Sequence, residues 1–119
     1  MKKLNLLITL IVIINVTINA QSWISSNTLF GDDNIVVLES SNDSQNNAIL
    51  FGYFSGTIYS TPIGDVSAIG TRDLFLCKFD QDQNLDWFMR FGSISETDQF
   101  GSLSIGSNDT IFITGGYRN

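Results

Sequence analysis

The sequence predicts an all-β protein of antiparallel strands, preceded by a signal-peptide helix. Three observations carry that expectation. Beyond residue 20 no stretch repeats apolar residues at helical spacing. Short runs rich in Val, Ile, Leu, Phe and Thr are instead parted by clusters of Ser, Asn, Asp and Gly. From Asp73 to Asp80 the side chains alternate, with Phe75, Cys77 and Phe79 on one face and Leu74, Leu76 and Lys78 on the other.

Residues 1–20 (MKKLNLLITLIVIINVTINA) place two lysines before an apolar run, then a more polar stretch ending in the small residue Ala20. That is the three-part layout of a secretory signal peptide, with cleavage expected between Ala20 and Gln21. Asn5, Asn15 and Asn19 interrupt the run, so no membrane span is expected after cleavage. No Cys stands near the cleavage point, and a lipoprotein anchor is not supported. The pattern points to export, and so to a secreted or cell-surface location.

The remaining elements follow in order. Trp23 opens a short apolar piece, closed by a Ser-Ser-Asn bend. Asp33 to Glu39 carries an almost continuous apolar run and reads as a strand buried on both faces. Ser40 to Asn47 holds no apolar residue and reads as a turn or surface loop. Ala48 to Phe54 is a second dense strand, where Gly52 suggests a bulge or the close approach of another backbone. Ser55 to Thr71 reads as loop with one short strand near Thr57 to Tyr59. The hairpin of Asp73–Asp80 and Leu85–Phe91 comes next, joined by the polar turn DQDQN. A polar loop follows at Ser93 to Asp98. Strands at Phe100–Ile105 and Thr110–Thr114 flank the tight turn Gly106–Asp109.

Composition narrows the function. With 119 residues, 43% hydrophobic and 12% aromatic, the chain is long enough for one folded unit. The net charge is −6, or −8 once Lys2 and Lys3 leave, with 4 basic against 12 acidic residues. That balance repels phosphate backbones and excludes nucleic acid as an expected partner. The absence of His removes the Ser-His-Asp and Cys-His nucleophile systems and the commonest zinc sites. The single Cys77 has no internal disulfide partner and reads as buried filler on an apolar strand face.

An internal repeat runs through the chain. Trp23 and Trp87 lead into Phe30-Gly31 and Phe91-Gly92. Asp33 and Asp98 each introduce a strand, a polar turn follows, and an apolar strand ends in Gly52 or Gly115. The Trp residues are 64 apart and the Gly residues 63 apart. A period near 60 with several strands per unit points to propellers or β arrays, whose units cannot bury both faces alone.

At these residues the chain resembles the SBBP-type β-propeller repeat of secreted bacterial proteins. Gly70, Asp73-Leu-Phe-Leu-Cys-Lys-Phe-Asp80, Trp87, Gly92, Asp98 and Thr110-Ile-Phe-Ile-Thr-Gly115 carry the likeness. The turn after Asp80 lacks the repeat's usual Gly, and the first copy has a longer loop before Ala48. The resemblance implies one to two four-stranded blades over residues 21–119, about one and a half repeats of a longer propeller. It implies no catalytic residues and no cofactor, and further repeats of a longer chain as partners. Trp23, Trp87, Gly52, Gly115 and Asp73 take structural roles in this reading: the Trp rings as wedges between blades, the glycines as points of close packing, Asp73 as an acceptor for turn amides.

Asp80, Asp82, Asn84 and Asp86 alternate as D-x-D-x-N-x-D, a spacing of oxygen ligands that suits Ca²⁺ and resembles the opening of an EF-hand loop. It lacks the Gly at the sixth position and the Glu at the twelfth. The plainer reading is a solvated hairpin turn. Two other functions stay open: a secreted carbohydrate-active or other hydrolytic protein with two carboxylates in one cleft, and a small Ca²⁺-binding β-sandwich. A protein or carbohydrate ligand is compatible with the first reading, and the sequence names neither.

Overall fold

The computed structural model describes residues 29–94 and 101–115. The signal peptide, Trp23, Asp98 and Phe100 lie outside the described residues. Nine strands occur among them: β1 (Phe30–Gly31), β2 (Ile35–Asn42), β3 (Ala48–Phe54), β4 (Thr57–Thr61), β5 (Gly64–Ser67), β6 (Asp73–Phe79), β7 (Leu85–Phe91), β8 (Gly101–Ile105) and β9 (Ile111–Gly115). All pairings are antiparallel. A 3₁₀ turn at Ser107–Asp109 joins the last two strands, and no α-helix occurs among the described residues.

The centre is a four-stranded sheet in the order β2-β3-β6-β7. Its inner strands are the two densest apolar runs, which is what burial on both faces requires. β6 is buried at every position except Lys78, which is half-buried. Between β3 and β6 the chain leaves the sheet to form the β4–β5 hairpin, and β1 adds to β4 in a separate three-stranded sheet of order β1-β4-β5. β8 and β9 pair only with each other.

Strand alternation divides the core in two. On one face Phe54, Phe75, Cys77, Phe79 and Phe88 pack with Ile58 of β4 and Val66 of β5. Three of these rings form a cluster. Phe75 and Phe88 stack at 5.7 Å, and Phe54 meets each edge-on at 6.3 and 6.2 Å. Each such pair adds about 0.5–1.5 kcal/mol beyond area burial. On the other face Ile49, Phe51, Leu74 and Leu76 pack with Trp87 and with Leu103, Ile105, Ile111 and Ile113 of the β8–β9 hairpin. The four-stranded sheet is therefore the middle of three layers.

The first strand the sequence marks as doubly buried departs from expectation. β2 is not buried on both faces: Val37 and Leu38 are exposed, and only Ile35 joins the first core. Its place at the sheet edge explains this. β2 also runs on through Ser40, Ser41 and Asn42, which pair with Leu50, Ile49 and Ala48. Backbone pairing needs no apolar side chain there. The stretch expected as loop with one short strand holds both β4 and β5.

Candidate functional site

The acidic hairpin turns come first, because they carry the spacing that suits a metal. In the β6–β7 turn, Asp80 Oδ1 accepts the Asn84 backbone N–H at 2.8 Å. The Asn84 amide nitrogen lies 3.4 and 3.2 Å from the two Asp80 oxygens. Gln83 takes φ 65° to close the turn, the left-handed position where glycine is the ordinary occupant. The β2–β3 turn repeats this construction. Asp43 Oδ1 accepts the N–H of Asn47 at 2.8 Å and of Gln45 at 3.0 Å, and Asn46 takes φ 65°. Asp43 also pairs with Lys78 Nζ at 2.8 Å.

In both turns these partners hold the carboxyl below its ordinary range. For Asp43 the first cause is Lys78, then the Asn47 side chain. For Asp80 it is the Asn84 backbone N–H. The motif is D-x-x-x-N, and it gives Asp80 and Asn84 a structural task. Asp82 and Asp86 are exposed. Among the described residues no three His, Cys, Asp or Glu side chains converge into a group that could hold a metal ion.

Asp73 is fully buried at the start of β6. Its Oδ2 accepts the Ile69 N–H at 3.0 Å and its Oδ1 the Gly70 N–H at 3.5 Å. Arg90 Nε approaches Oδ2 to 3.6 Å, while Arg90 Nη1 donates to Ser67 O at 2.9 Å. Gly92 packs on the carboxylate so closely that a Cβ would lie 2.3 Å from Asp73 Cγ. One carboxylate thus ties the loop before β6 to the end of β7.

Gly52 faces the backbone of β2. A Cβ there would lie 2.0 Å from Val36 O, and the β2–β3 register shifts between Val37 and Glu39 at the same place. Trp87 is half-buried in the second core, beside the β8–β9 strands. Gly115 ends β9 opposite Gly101. Two further carboxylates, which no motif singled out, tie β8–β9 to the middle sheet. Glu39 Oε2 accepts the Leu103 N–H at 2.5 Å. Asp109 accepts the Ser44 N–H at 2.7 Å and its hydroxyl at 2.6 Å.

The described residues also enclose a groove of about 510 Å³ between the β1–β4 sheet and the β6–β7 hairpin. Phe30, Tyr59 and Ser60 line one side, and Phe79, Asn84 and Leu85 the other. The Phe30 and Tyr59 rings lie 5.9 Å apart, and Phe30 is 71% exposed. Asp32 fixes this side: its Oδ1 accepts the Thr57 N–H at 2.6 Å and its Oδ2 the Tyr59 hydroxyl at 3.0 Å. These residues are 19 or more positions apart across the groove, so sequence spacing could not reveal it. No helix among the described residues is long and apolar enough to cross a membrane. No protein-family model, curated protein or solved structure matches the chain.

Proposed function

We propose that the chain is an exported, non-catalytic β-propeller-repeat segment with a structural or binding role at the cell surface or outside the cell. One observation carries this reading. The β8–β9 hairpin lies face to face on the four-stranded sheet, and its strands repeat the sequence order of β2–β3, with IFITG in β9 matching AILFG in β3. A four-stranded antiparallel unit followed by the first half of another is the arrangement successive blades require. The use of the carboxylates supports the non-catalytic part. Asp32, Asp43, Asp73 and Asp80 all accept hydrogen bonds from backbone N–H groups.

In this reading β9 is an inner strand, and among the described residues only β8 pairs with it, so its other edge favours association. Static light scattering over a hundredfold range of concentration tests it on the chain beginning at Gln21. Concentration-dependent association is expected. A stable monomer at every concentration overturns the segment reading. Export is tested separately, by fusing residues 1–20 to a reporter enzyme without a leader and locating its activity. Activity confined to the cytoplasm removes the exported part of the proposal.

A further inference from the structure

We propose that the groove between the Phe30–Tyr59 ring pair and the β6–β7 turn binds a neutral carbohydrate. This extends the binding half of the reading above and does not depend on the repeat architecture.

Size and shape come first. A concavity of about 510 Å³ falls within the few hundred to a thousand Å³ typical of small-ligand sites. The exposed aromatic surface comes next. Phe30 is the second most exposed large hydrophobic side chain among the described residues, after Ile94. It is not an isolated ring: β1 pairs with β4 so that Phe30 stands opposite Tyr59. The Tyr59 hydroxyl is fixed on Asp32, which is itself anchored to the Thr57 N–H. The Tyr59 half of the platform is therefore held in place before any ligand arrives, which lowers the ordering cost of binding. An aromatic face is apolar and slightly negative. The C–H face of a sugar ring is apolar and slightly positive, and it complements such a surface.

The polar groups fit the same ligand. Ser60 and Asn84 line the groove, and among the described residues no hydrogen bond engages the Ser60 hydroxyl or the Asn84 side-chain oxygen. The first can donate or accept, and the second accepts. Sugar hydroxyls do both.

Charge then selects among ligand classes. Among the described residues no Lys or Arg lines the groove, so an anion finds no counter-charge there. The acidic residues around it face elsewhere: Asp32 bonds Thr57 and Tyr59, Asp80 bonds Asn84, and Asp65 accepts the Ser60 N–H at 2.9 Å. A cation finds no carboxylate turned toward it. What remains is a neutral ligand with one apolar face and several hydroxyls.

Retention of the full chain on insoluble cellulose and chitin and in starch-containing gels tests the proposal, with cellohexaose, chitohexaose and maltohexaose as soluble competitors. At least one polysaccharide should retain the protein, and its hexasaccharide should release it. Phe30→Ala should weaken retention about tenfold or more, a loss of roughly 1.4 kcal/mol. Phe30→Trp should preserve it, and Met89→Ala, at another exposed apolar side chain, should leave it unchanged. Matching circular dichroism and melting curves establish that the variants fold. Three outcomes overturn the proposal: no retention by any of the three, retention that ignores Phe30, or Phe30-dependent binding of a ten-residue polyproline peptide where sugars fail. None of them bears on the light-scattering result, so the two readings stand or fall separately.

Discussion

At Gly52 a methyl group has no room, because Val36 O would lie 2.0 Å from it. Gly52→Ala is therefore expected to cost about 3 kcal/mol or more in chemical denaturation. Gly64→Ala should cost only about 1 kcal/mol, since nothing lies within 4 Å there and the penalty is its φ of 95°. Cys77 gives a chemical contrast. Burial pushes its thiol up to about 12, so no thiolate forms near neutral pH. Maleimide should leave Cys77 unmodified in the folded chain and label it fully in denaturant; labelling of the folded form would contradict its burial. Asp73→Ala removes the acceptor for two backbone N–H groups and leaves Arg90 without its carboxylate, at an expected cost of about 3 kcal/mol measured in the same way. At this scale the sequence was informative where geometry is local. A lone Gly in an apolar strand signals a close contact, and a Cys between two Phe signals burial. The Asp80-to-Asp86 alternation is less readable. Its spacing suits metal ligands as well as the plainer hairpin turn, and the recurrence of D-x-x-x-N at Asp43 adds weight to the turn.

The two D-x-x-x-N hairpin turns differ in the residue that takes positive φ. Gln in the left-handed region is strained, while Asn tolerates it. Gln83→Gly should therefore stabilise the chain by about 0.5–1 kcal/mol, and Asn46→Gly should change little. The same turns govern acid stability. Asp43 and Asp80 are held below their ordinary range when folded, so their contribution is present above pH of about 4 and is lost as pH falls through the folded values. Lys78 is shifted upward by Asp43, so its contribution persists through neutral pH and fades only above about 10.5. The melting temperature should be flat from roughly pH 5 to 8 and fall below about 4. Asp43→Asn should lower the plateau and flatten the acid limb. Strands with strong apolar patterns, β3, β6 and β7, were legible in the sequence. β5 and the second half of β2 were not, because edge and hairpin strands satisfy their backbones without burying side chains, and their residues look like loop.

Across the molecule, the β8–β9 layer is tied to the middle sheet by hydrogen bonds between segments more than 60 residues apart. The Glu39–Leu103 and Ser44–Asp109 bonds span 64 and 65 positions. Replacing both acceptors, Glu39→Gln with Asp109→Asn, should speed amide exchange in β8 and β9 about tenfold or more while leaving β3 and β6 protected. Equal acceleration in all four strands would mean that the layers open as one unit. Which layer covers which face could not be read from the sequence, since alternation assigns Leu74 and Leu76 to a face without naming what covers it. The stacking also has a consequence in time. A chain is made from its N-terminus, so the face carrying Ile49, Phe51, Leu74 and Leu76 is complete before the hairpin that covers it exists. Until residue 115 emerges, that face is open to any other nascent chain, and the interval favours aggregation of the newborn polypeptide. A holding chaperone that shields the face until the last hairpin docks would raise the yield of native protein without adding a single contact to it.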